Sequence, residues 1–192
     1  STAPIGEVFF ENVRVPAANL LGKEGEGFVS GQVRLGPARV HHCMSAIGNC
    51  EMLIELMMAR SLERSTFGRA ISDYDSVQYE IARSRIELEQ ARLMVQKTAW
   101  LLDREGYAAA RGDVSMIKVA VAQTYHRIAD RALHVFGAMG GSDDTPIAAA
   151  YAWARAFRSG DGPDEVHLRQ IYRMEDKPGF RIADSPHILP PG

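Results

Sequence analysis

The sequence has few cysteines, no excess charge of either sign and no long apolar run. Each of these absences excludes a class of protein or of partner. It has 192 residues and two cysteines, and Lys plus Arg total 22 against 24 Asp plus Glu. Because the positive and negative charges nearly balance, there is no electrostatic reason to expect nucleic acid or an anionic membrane surface as a partner. No apolar run approaches the ~20 residues of a membrane span. We therefore expect one well-packed domain without a nucleic-acid partner or a membrane span.

The two cysteines, Cys43 and Cys50, fall seven residues apart in one predicted helix. Seven residues span about 10 Å along a helix, which is too far for a disulfide. We therefore expect two buried thiols in a reducing compartment. This compartment is the cytoplasm if the chain is bacterial, and the mitochondrion or peroxisome if it is eukaryotic.

The sequence also lacks a metal site and two common catalytic motifs. A carboxylate-bridged metal in a helical bundle needs Glu-x-x-His motifs on several helices, and only Asp164-x-x-His167 has comparable spacing. His41 and His42 are adjacent, so they point to different sides of a helix. There is neither a P-loop nor a Gly-x-Ser-x-Gly turn. We expect no bound metal.

Turn and apolar patterns divide the chain into three parts. Residues 1–28 combine short extended apolar segments with glycine-rich turns. This pattern predicts one or two strands that pair outside the chain, because an isolated hairpin is marginal in water. Residues 29–176 form the helical part. Residues 177–192 are rich in Pro and Gly, and we expect a flexible tail.

Apolar spacing predicts four long helices and a short fifth in the helical part. The first ends before Phe67, the next three span about 75–104, 113–136 and 146–158, and the fifth follows Pro163. Long helices with short connections predict a mainly α fold, an up-and-down antiparallel four-helix bundle. The apolar stripes expected in its core are Val40, Met44, Ile47, Ile54 and Met58, then Ile81, Leu88, Leu93 and Leu101, then Ile117, Val121, Ile128 and Val135.

The most informative segment is 159–167, in which Asp161 stands between two glycines and Pro163 precedes two further acids. Proline suits the start of a helix, and acids there favour the helix dipole. Glycines let the chain bend sharply and let a ligand come close. Asp161 is therefore either an ordinary helix cap or a positioned base, and the local pattern leaves both possibilities open.

Several motifs, taken in order, resemble the C-terminal half of the acyl-CoA dehydrogenases. Residues 7–28 resemble the last strands of that family's middle β-domain, and Arg39 lies where the family has an Arg at the start of its first long helix. Residues 59–69 resemble its Arg-x-x-Phe-Gly segment, and residues 136–140 resemble its Gly-Gly-x-Gly turn. Residues 161–167 resemble the branch that includes eukaryotic proteins fused to kinase-like domains.

The resemblance implies a flavoenzyme that oxidises an acyl-CoA to the trans-2-enoyl-CoA with FAD as cofactor. The base would remove an α-proton while a hydride leaves the β-carbon. The family places a Glu at this late turn, and Asp161 occupies its position, so the resemblance implies that Asp161 is the base. Arg39 matches a residue near the catalytic pocket. The short N-terminal strands would be what is left of a β-domain, and residues 29–176 would be the C-terminal helical domain.

The same resemblance implies a cofactor set. Arg64 would bind the FAD diphosphate across a subunit interface, and Thr66 and Phe67 match positions that touch the flavin nucleotide. The turn at Gly137 matches the approach to a neighbouring subunit's FAD, although Ala138 replaces a glycine and His134 replaces a Gln that is common in the family. We expect a homodimer or homotetramer, an acyl-CoA substrate and an electron-transfer flavoprotein as acceptor.

Some positions depart from the family pattern. Asp161 is one methylene shorter than Glu, so its carboxylate falls roughly 1.5 Å short unless the loop or the substrate moves closer, and a displacement of this order can cost about 10²-fold in rate. Asp75 stands where the family has an FAD-binding Gln, and Pro163 where it has a hydroxyl residue. Two alternatives therefore stay open: a non-catalytic helical module that assembles oligomers, and a relative that passes electrons to oxygen, such as an acyl-CoA oxidase.

Overall fold

The structure is a computed structural model that describes residues 6–176, and it is an all-helical bundle with one very small sheet. Four helices follow one another: α1 (Gly27–Glu63), α2 (Asp75–Phe136), α3 (Ile147–Phe157) and α4 (Asp164–Glu175). The two strands, β1 (Ser65–Thr66) and β2 (Arg69–Ala70), pair antiparallel in the turn between α1 and α2. The predicted mainly α bundle is confirmed, and the tail predicted at 177–192 lies outside the described residues.

Helix α2 is two antiparallel segments that meet at Gly106. The backbone there has φ 79° and ψ 177°, a conformation that an L side chain rarely adopts. Ion pairs across the hairpin fix its register, with Lys97 Nζ 2.9 Å from Asp113 and Arg131 Nε 2.8 Å from Glu80. The sequence predicted two helices separated by residues 105–112; instead, helix continues to either side of Gly106.

The four long helical segments alternate in direction. Helix α1 runs parallel to segment 107–136, since Gly36 lies against Tyr107 and Cys43 Sγ is 3.7 Å from the Ile117 carbonyl further along both helices. Helix α3 runs antiparallel to that segment, because Lys118 Nζ lies 2.6 Å from the Phe157 carbonyl while the ring of Tyr151 lies 5.0 Å from that of His126. This is the predicted up-and-down order.

The core of the bundle lies between α1 and both segments of α2. Val40, Ile47 and Ile54 of α1 are buried, as are all four residues predicted for segment 107–136. The free thiols of Cys43 and Cys50 are buried, and burial raises the pKa of each to about 12. Both thiols are therefore inert fillers of the core rather than nucleophiles.

Three residues of the predicted apolar stripes are exposed, so their assignment to the core is wrong for this chain. Met44, Met58 and Leu93 are 58%, 47% and 64% exposed. Their stripes also contain buried members, such as Val40 and Leu88. Spacing identifies an apolar face, but it does not distinguish a face covered by the same chain from one covered by something else.

The strands predicted within residues 1–28 are absent from the described part, residues 6–28. This segment is extended or bent, with a single 3₁₀ turn at Ala17–Asn19 before α1 begins. Its apolar side chains are exposed, among them Val8, Phe9 and Phe10. A strand needs a neighbour for its backbone hydrogen bonds, and no other strand within residues 6–176 lies beside this segment.

Candidate active site

The turn between α3 and α4 holds Asp161 in an unusual backbone conformation. Its φ is 55°, whereas that of Gly162 is 110°. A Cβ at Gly162 would lie 2.9 Å from Nε2 of His167, so glycine is required there by both conformation and space. Asp161 and Phe67, both site residues predicted from the sequence, are two of the three non-glycine residues with positive φ in the described chain. Such conformations cluster at functional sites.

Two side chains hold the backbone carbonyl of Asp161. Arg39 donates from Nε to it over 2.9 Å, and Nε2 of His167 lies 3.4 Å away. Arg39 is only 9% exposed, and its guanidinium also reaches the Tyr107 hydroxyl at 3.4 Å. The structure thus brings together the two predicted catalytic residues, Arg39 and Asp161, with Arg39 bonded to the turn's backbone rather than to its carboxylate.

The Asp161 carboxylate itself contacts His42. Nδ1 of His42 lies within hydrogen-bonding distance of Oδ2 of Asp161. Sequence reasoning missed this pairing because it considered His42 only as a metal ligand. The signal that could have found it is spacing: His42 follows Arg39 by three residues, so both lie on one face of α1.

An apolar cavity of about 970 Å³ opens beside this pair, between α1, α3 and the turn. Its volume lies within the range of small-molecule sites, which are typically apolar with a few convergent polar groups. Asp161, His42 and Asn49 supply polar groups at its wall. The remaining lining residues are Ser45, Ala46, Met52, Tyr125, Pro146, Ala149, Ala150, Ala152, Trp153, Ala156, Phe157, Ser159 and Gly160.

Buried polar residues support the turn from behind. Lys118 is fully buried and donates to the last carbonyl of α3, that of Phe157, over 2.6 Å. Burial lowers the pKa of Lys118, and its neighbours Cys43 and Asp164 partly offset this. Arg158 donates from both Nε and Nη2 to Oδ2 of Asp164, each over 2.8 Å. These contacts tie the end of α3 and the start of α4 to α2, which limits how far Asp161 can move.

His167 lies directly under the turn and is 4% exposed. Burial lowers its pKa, and the nearby Arg39 guanidinium lowers it further. Nδ1 of its ring lies 3.4 Å from the Ser115 hydroxyl. A neutral imidazole can both donate and accept, so His167 can link the Asp161 carbonyl to α2 without placing another charge beside Arg39.

A second cavity, of about 400 Å³, lies at the other end of α1. It is lined by five of the six residues predicted to bind the cofactor: Arg64, Thr66, His134, Gly137 and Ala138. The sixth, Phe67, does not line it and is 99% exposed on the β1–β2 turn. The remaining lining residues are Arg60, Ile71, Val135, Phe136 and Met139.

The chain matches the family model described as "Acyl-CoA dehydrogenase, C-terminal domain" over residues 25–175. It belongs to the acyl-CoA dehydrogenase family. This is a family of flavoprotein oxidoreductases, and the resemblance identified from the sequence motifs is confirmed.

Relatives and solved structures agree with this assignment. The chain is 52% identical over 169 residues to a probable acyl-CoA dehydrogenase, FadE2, of Mycobacterium tuberculosis, covering 88% of this chain and 42% of FadE2. It is 46% identical to acyl-CoA dehydrogenase family member 10 of mouse, covering 93% of this chain and 17% of that protein. A putative acyl-CoA dehydrogenase structure from Mycobacterium abscessus matches with TM-score 0.82 and 43% identity, covering 86% of this chain and 41% of that one. The chain thus spans less than half the length of these relatives.

The second cavity suits the FAD implied by the acyl-CoA dehydrogenase family. Two guanidiniums, those of Arg60 and Arg64, border it, and guanidiniums bind phosphate oxygens as paired donors. Nε of Arg60 is buried and has no hydrogen-bond partner within residues 6–176. An unpaired buried donor costs about 1–3 kcal/mol. Arg64 and Arg60 would hold the diphosphate, and the 137–138 turn would border the nucleotide.

The predicted catalytic and cofactor-binding residues lie at different positions along α1. Arg39 and Arg64 are separated by 25 residues of α1 and its end, which corresponds to roughly 37 Å. Within residues 6–176, no helix is long and apolar enough to cross a membrane, and no group of three His, Cys, Asp or Glu side chains is placed to hold a metal.

Proposed function

We propose that this chain is the C-terminal domain of a flavin-dependent acyl-CoA dehydrogenase that converts acyl-CoA to trans-2-enoyl-CoA. The observation that carries the proposal is the Asp161 carboxylate at the wall of the 970 Å³ apolar cavity, with its backbone carbonyl held by Arg39. Its side chain is 19% exposed. A carboxylate at the edge of an apolar cavity, partly shielded from water, is a suitable base for a weak carbon acid.

Asp161 accepts the α-proton in the proposed reaction. Bound FAD supplies the acceptor for the hydride that leaves the β-carbon, so the substrate loses one proton and one hydride in total. Negative charge develops on the thioester oxygen as the proton leaves, and hydrogen-bond donors aimed at that oxygen stabilise it. Arg39 fixes the turn and His167 supports it, so the carboxylate is oriented before substrate arrives.

We infer that residues 1–192 need further protein surface to complete the site. Both cavities are open to solvent on one side, and the apolar side chains of Phe9 and Phe10 are 77% and 80% exposed. Activity is therefore expected of the larger enzyme that contains this chain, once it is loaded with flavin.

Assembly into a homodimer or homotetramer belongs to the same proposal. The first segment of α2 has an exposed apolar stripe at every seventh residue, Tyr79, Ile86, Leu93 and Trp100, each between 55% and 64% exposed. Seven-residue spacing is the pattern by which helices pack against one another. A second copy of this chain is the proposed occupant, because the separation of Arg64 from Asp161 leaves each to serve a different active site.

The test is an anaerobic visible spectrum of the enzyme, taken before and after adding acyl-CoAs of different chain length and branching. Bleaching of the flavin by at least one acyl-CoA is the expected result. Flavin that no acyl-CoA bleaches would contradict dehydrogenation, and absence of flavin would favour the non-catalytic assembly module instead.

The electron acceptor separates the dehydrogenase from an oxidase-like relative. We expect an electron-transfer flavoprotein to reoxidise the reduced enzyme quickly and air to do so slowly. Stopped-flow reoxidation with each acceptor measures this, and fast reaction with oxygen would favour the acyl-CoA oxidase alternative.

A further inference from the structure

Within residues 6–176, His42 is the one side chain that hydrogen-bonds the Asp161 carboxylate, and the proposed function does not use it. Both residues line the 970 Å³ cavity, and the His42 side chain is 46% exposed there. Within the described residues, the other close partners of Asp161, Arg39 and His167, bond its backbone carbonyl. The orientation of the carboxylate therefore depends on His42.

The direction of the hydrogen bond follows from the chemistry of the two groups. An ionised carboxylate can only accept, so Nδ1 of His42 must carry the proton in the contact with Oδ2 of Asp161. Oδ2 then has one lone pair engaged, whereas Oδ1 has no hydrogen-bond partner within residues 6–176 and offers both of its lone pairs to a proton from substrate. An imidazole and a carboxylate in this arrangement restrict one another's rotation, as in other enzymes that hold a general base by a hydrogen bond.

A short base in a strained turn needs such a restraint. Asp161 has φ 55° and a side chain one methylene shorter than Glu, so it has less reach with which to compensate for misorientation. A misplacement of about 1 Å can cost about 10²-fold in rate. His42 belongs to α1, a helix of 37 residues, and Arg39 of the same helix hydrogen-bonds the turn. Residues of α1 thus hold both the backbone carbonyl and the carboxylate of Asp161.

We propose that His42 is a positioning residue for Asp161, fixing Oδ2 through Nδ1 so that Oδ1 faces the reacting substrate. This rests on the proposed role of Asp161 as the base. His42 acts through Asp161 and need not exchange a proton with the substrate. The substrate class is the acyl-CoA thioester of the proposed function, and the step affected is removal of its α-proton.

The test separates proton removal from the rest of the reaction. An acyl-CoA analogue with sulfur in place of the β-carbon cannot lose a hydride, so exchange of its α-protons with deuterated solvent reports the base alone. We expect His42→Ala, in the flavin-loaded enzyme, to slow this exchange and kcat by about 10²-fold, with a much smaller change in KM. His42→Asn, which retains a side-chain N–H donor at a similar reach, should recover most of the loss.

His41→Ala is the matched control, since the neighbouring imidazole is exposed and makes no contact with Asp161 in the described chain. It should leave exchange and kcat unchanged. Exchange in His42→Ala within twofold of the unmodified enzyme would overturn the proposal, as would failure of His42→Asn to recover activity. The proposed function fails separately if Asp161→Asn still exchanges the α-protons, or if the unmodified enzyme does not, and the role of His42 then falls with it.

Discussion

The two ends of helix α1 differ in how far one chain completes its own site. At the Asp161 end, Arg39 and His42 of α1 and His167 of α4 all contact the same residue. At the Arg64 end, the residues surround an open 400 Å³ cavity, and Nε of Arg60, one of its lining residues, is buried without a hydrogen-bond partner within residues 6–176. The first end is organised by contacts within the chain, whereas the second keeps an open cavity that two guanidiniums border.

This difference suggests which functions can be lost separately. The fold itself sets the geometry around Asp161, so substitutions there should alter the chemical step while flavin binding persists. The cavity bordered by Arg60 and Arg64 is the proposed FAD site, so substitutions there should alter cofactor affinity while the intrinsic chemistry persists. Substitutions at each of the two places test this separation.

Replacing the proposed base should have the largest effect. Asp161→Asn keeps the size of the side chain but removes its ability to accept a proton, and general-base catalysis typically contributes 10²–10⁴-fold. We expect kcat for flavin reduction to fall by about that factor with normal flavin content, measured by anaerobic stopped-flow absorbance. Glu165→Gln, at an exposed acid of the next helix, is the control. Near-normal turnover in Asp161→Asn would refute the assignment.

Removing the guanidinium at the other end should weaken the cofactor. A hydrogen bond to a charged group contributes about 1.5–3 kcal/mol, so Arg64→Ala should raise the Kd for FAD by roughly 10–150-fold. Titration of the apoprotein with FAD, followed by flavin fluorescence, gives the Kd. Turnover should recover at saturating FAD.

Arg34→Ala serves as the comparison for that variant, because Arg34 is an exposed residue near the opposite end of the same helix. Its Kd for FAD should match that of the unmodified enzyme. Equal Kd values for Arg64→Ala and Arg34→Ala would show that the second cavity does not bind the cofactor.

Charge in the exposed stripe of α2 should weaken assembly. Ile86 is 59% exposed between Tyr79 and Leu93, and a Glu there would have to be buried in the proposed interface, at a cost of at least 1–2 kcal/mol, or about tenfold or more in association. Light scattering across a dilution series measures this for Ile86→Glu. Glu105→Gln, beyond the stripe, should leave the mass unchanged. An Ile86→Glu oligomer that resists dilution like the unmodified protein would exclude this surface.

Mild acid should produce the smallest effect. Burial lowers the pKa values of His167 and His126 below the ordinary value near 6.5. The unfolded chain then binds more protons than the folded one, so stability is retained above about pH 6.5 and lost as the pH falls below it. We expect Tm to fall by a few degrees between pH 7 and pH 5, with a shallower fall in His167→Gln. A slope unchanged by that substitution would contradict the burial argument.

The sequence predicted the bundle because helical periodicity is a local signal. All four predicted long helices begin or end within a few residues of those observed, and Pro163 marks the start of α4 as predicted. The strands of residues 7–16 could not be judged from their own pattern, because a strand forms only with a neighbour. The exposed Met44, Met58 and Leu93 illustrate the same limit of sequence-based prediction. Periodicity identifies the apolar face of a helix but not the surface that packs against it.

The sequence predicted the proposed cofactor residues and the residues around Asp161 to different degrees. Five of the six proposed cofactor residues surround one cavity, as their motifs suggested, whereas Phe67 points away from it. The resemblance implied that Arg39 lies near the catalytic pocket, but its bond to the backbone carbonyl of Asp161 depends on the left-handed turn there. The contact of His42 with Asp161 joins residues 119 positions apart and requires the fold itself.

Complementation between two inactive variants tests the central claim most directly. If Asp161 of one chain and Arg64 of another build each active site, a mixed dimer of Asp161→Asn and Arg64→Ala chains contains one intact site and one doubly altered site. Random co-assembly should then recover about a quarter of the unmodified activity, at FAD concentrations too low to load Arg64→Ala alone. Activity no higher than the sum of the two separate variants would contradict the account, since it would place both residues in the same site.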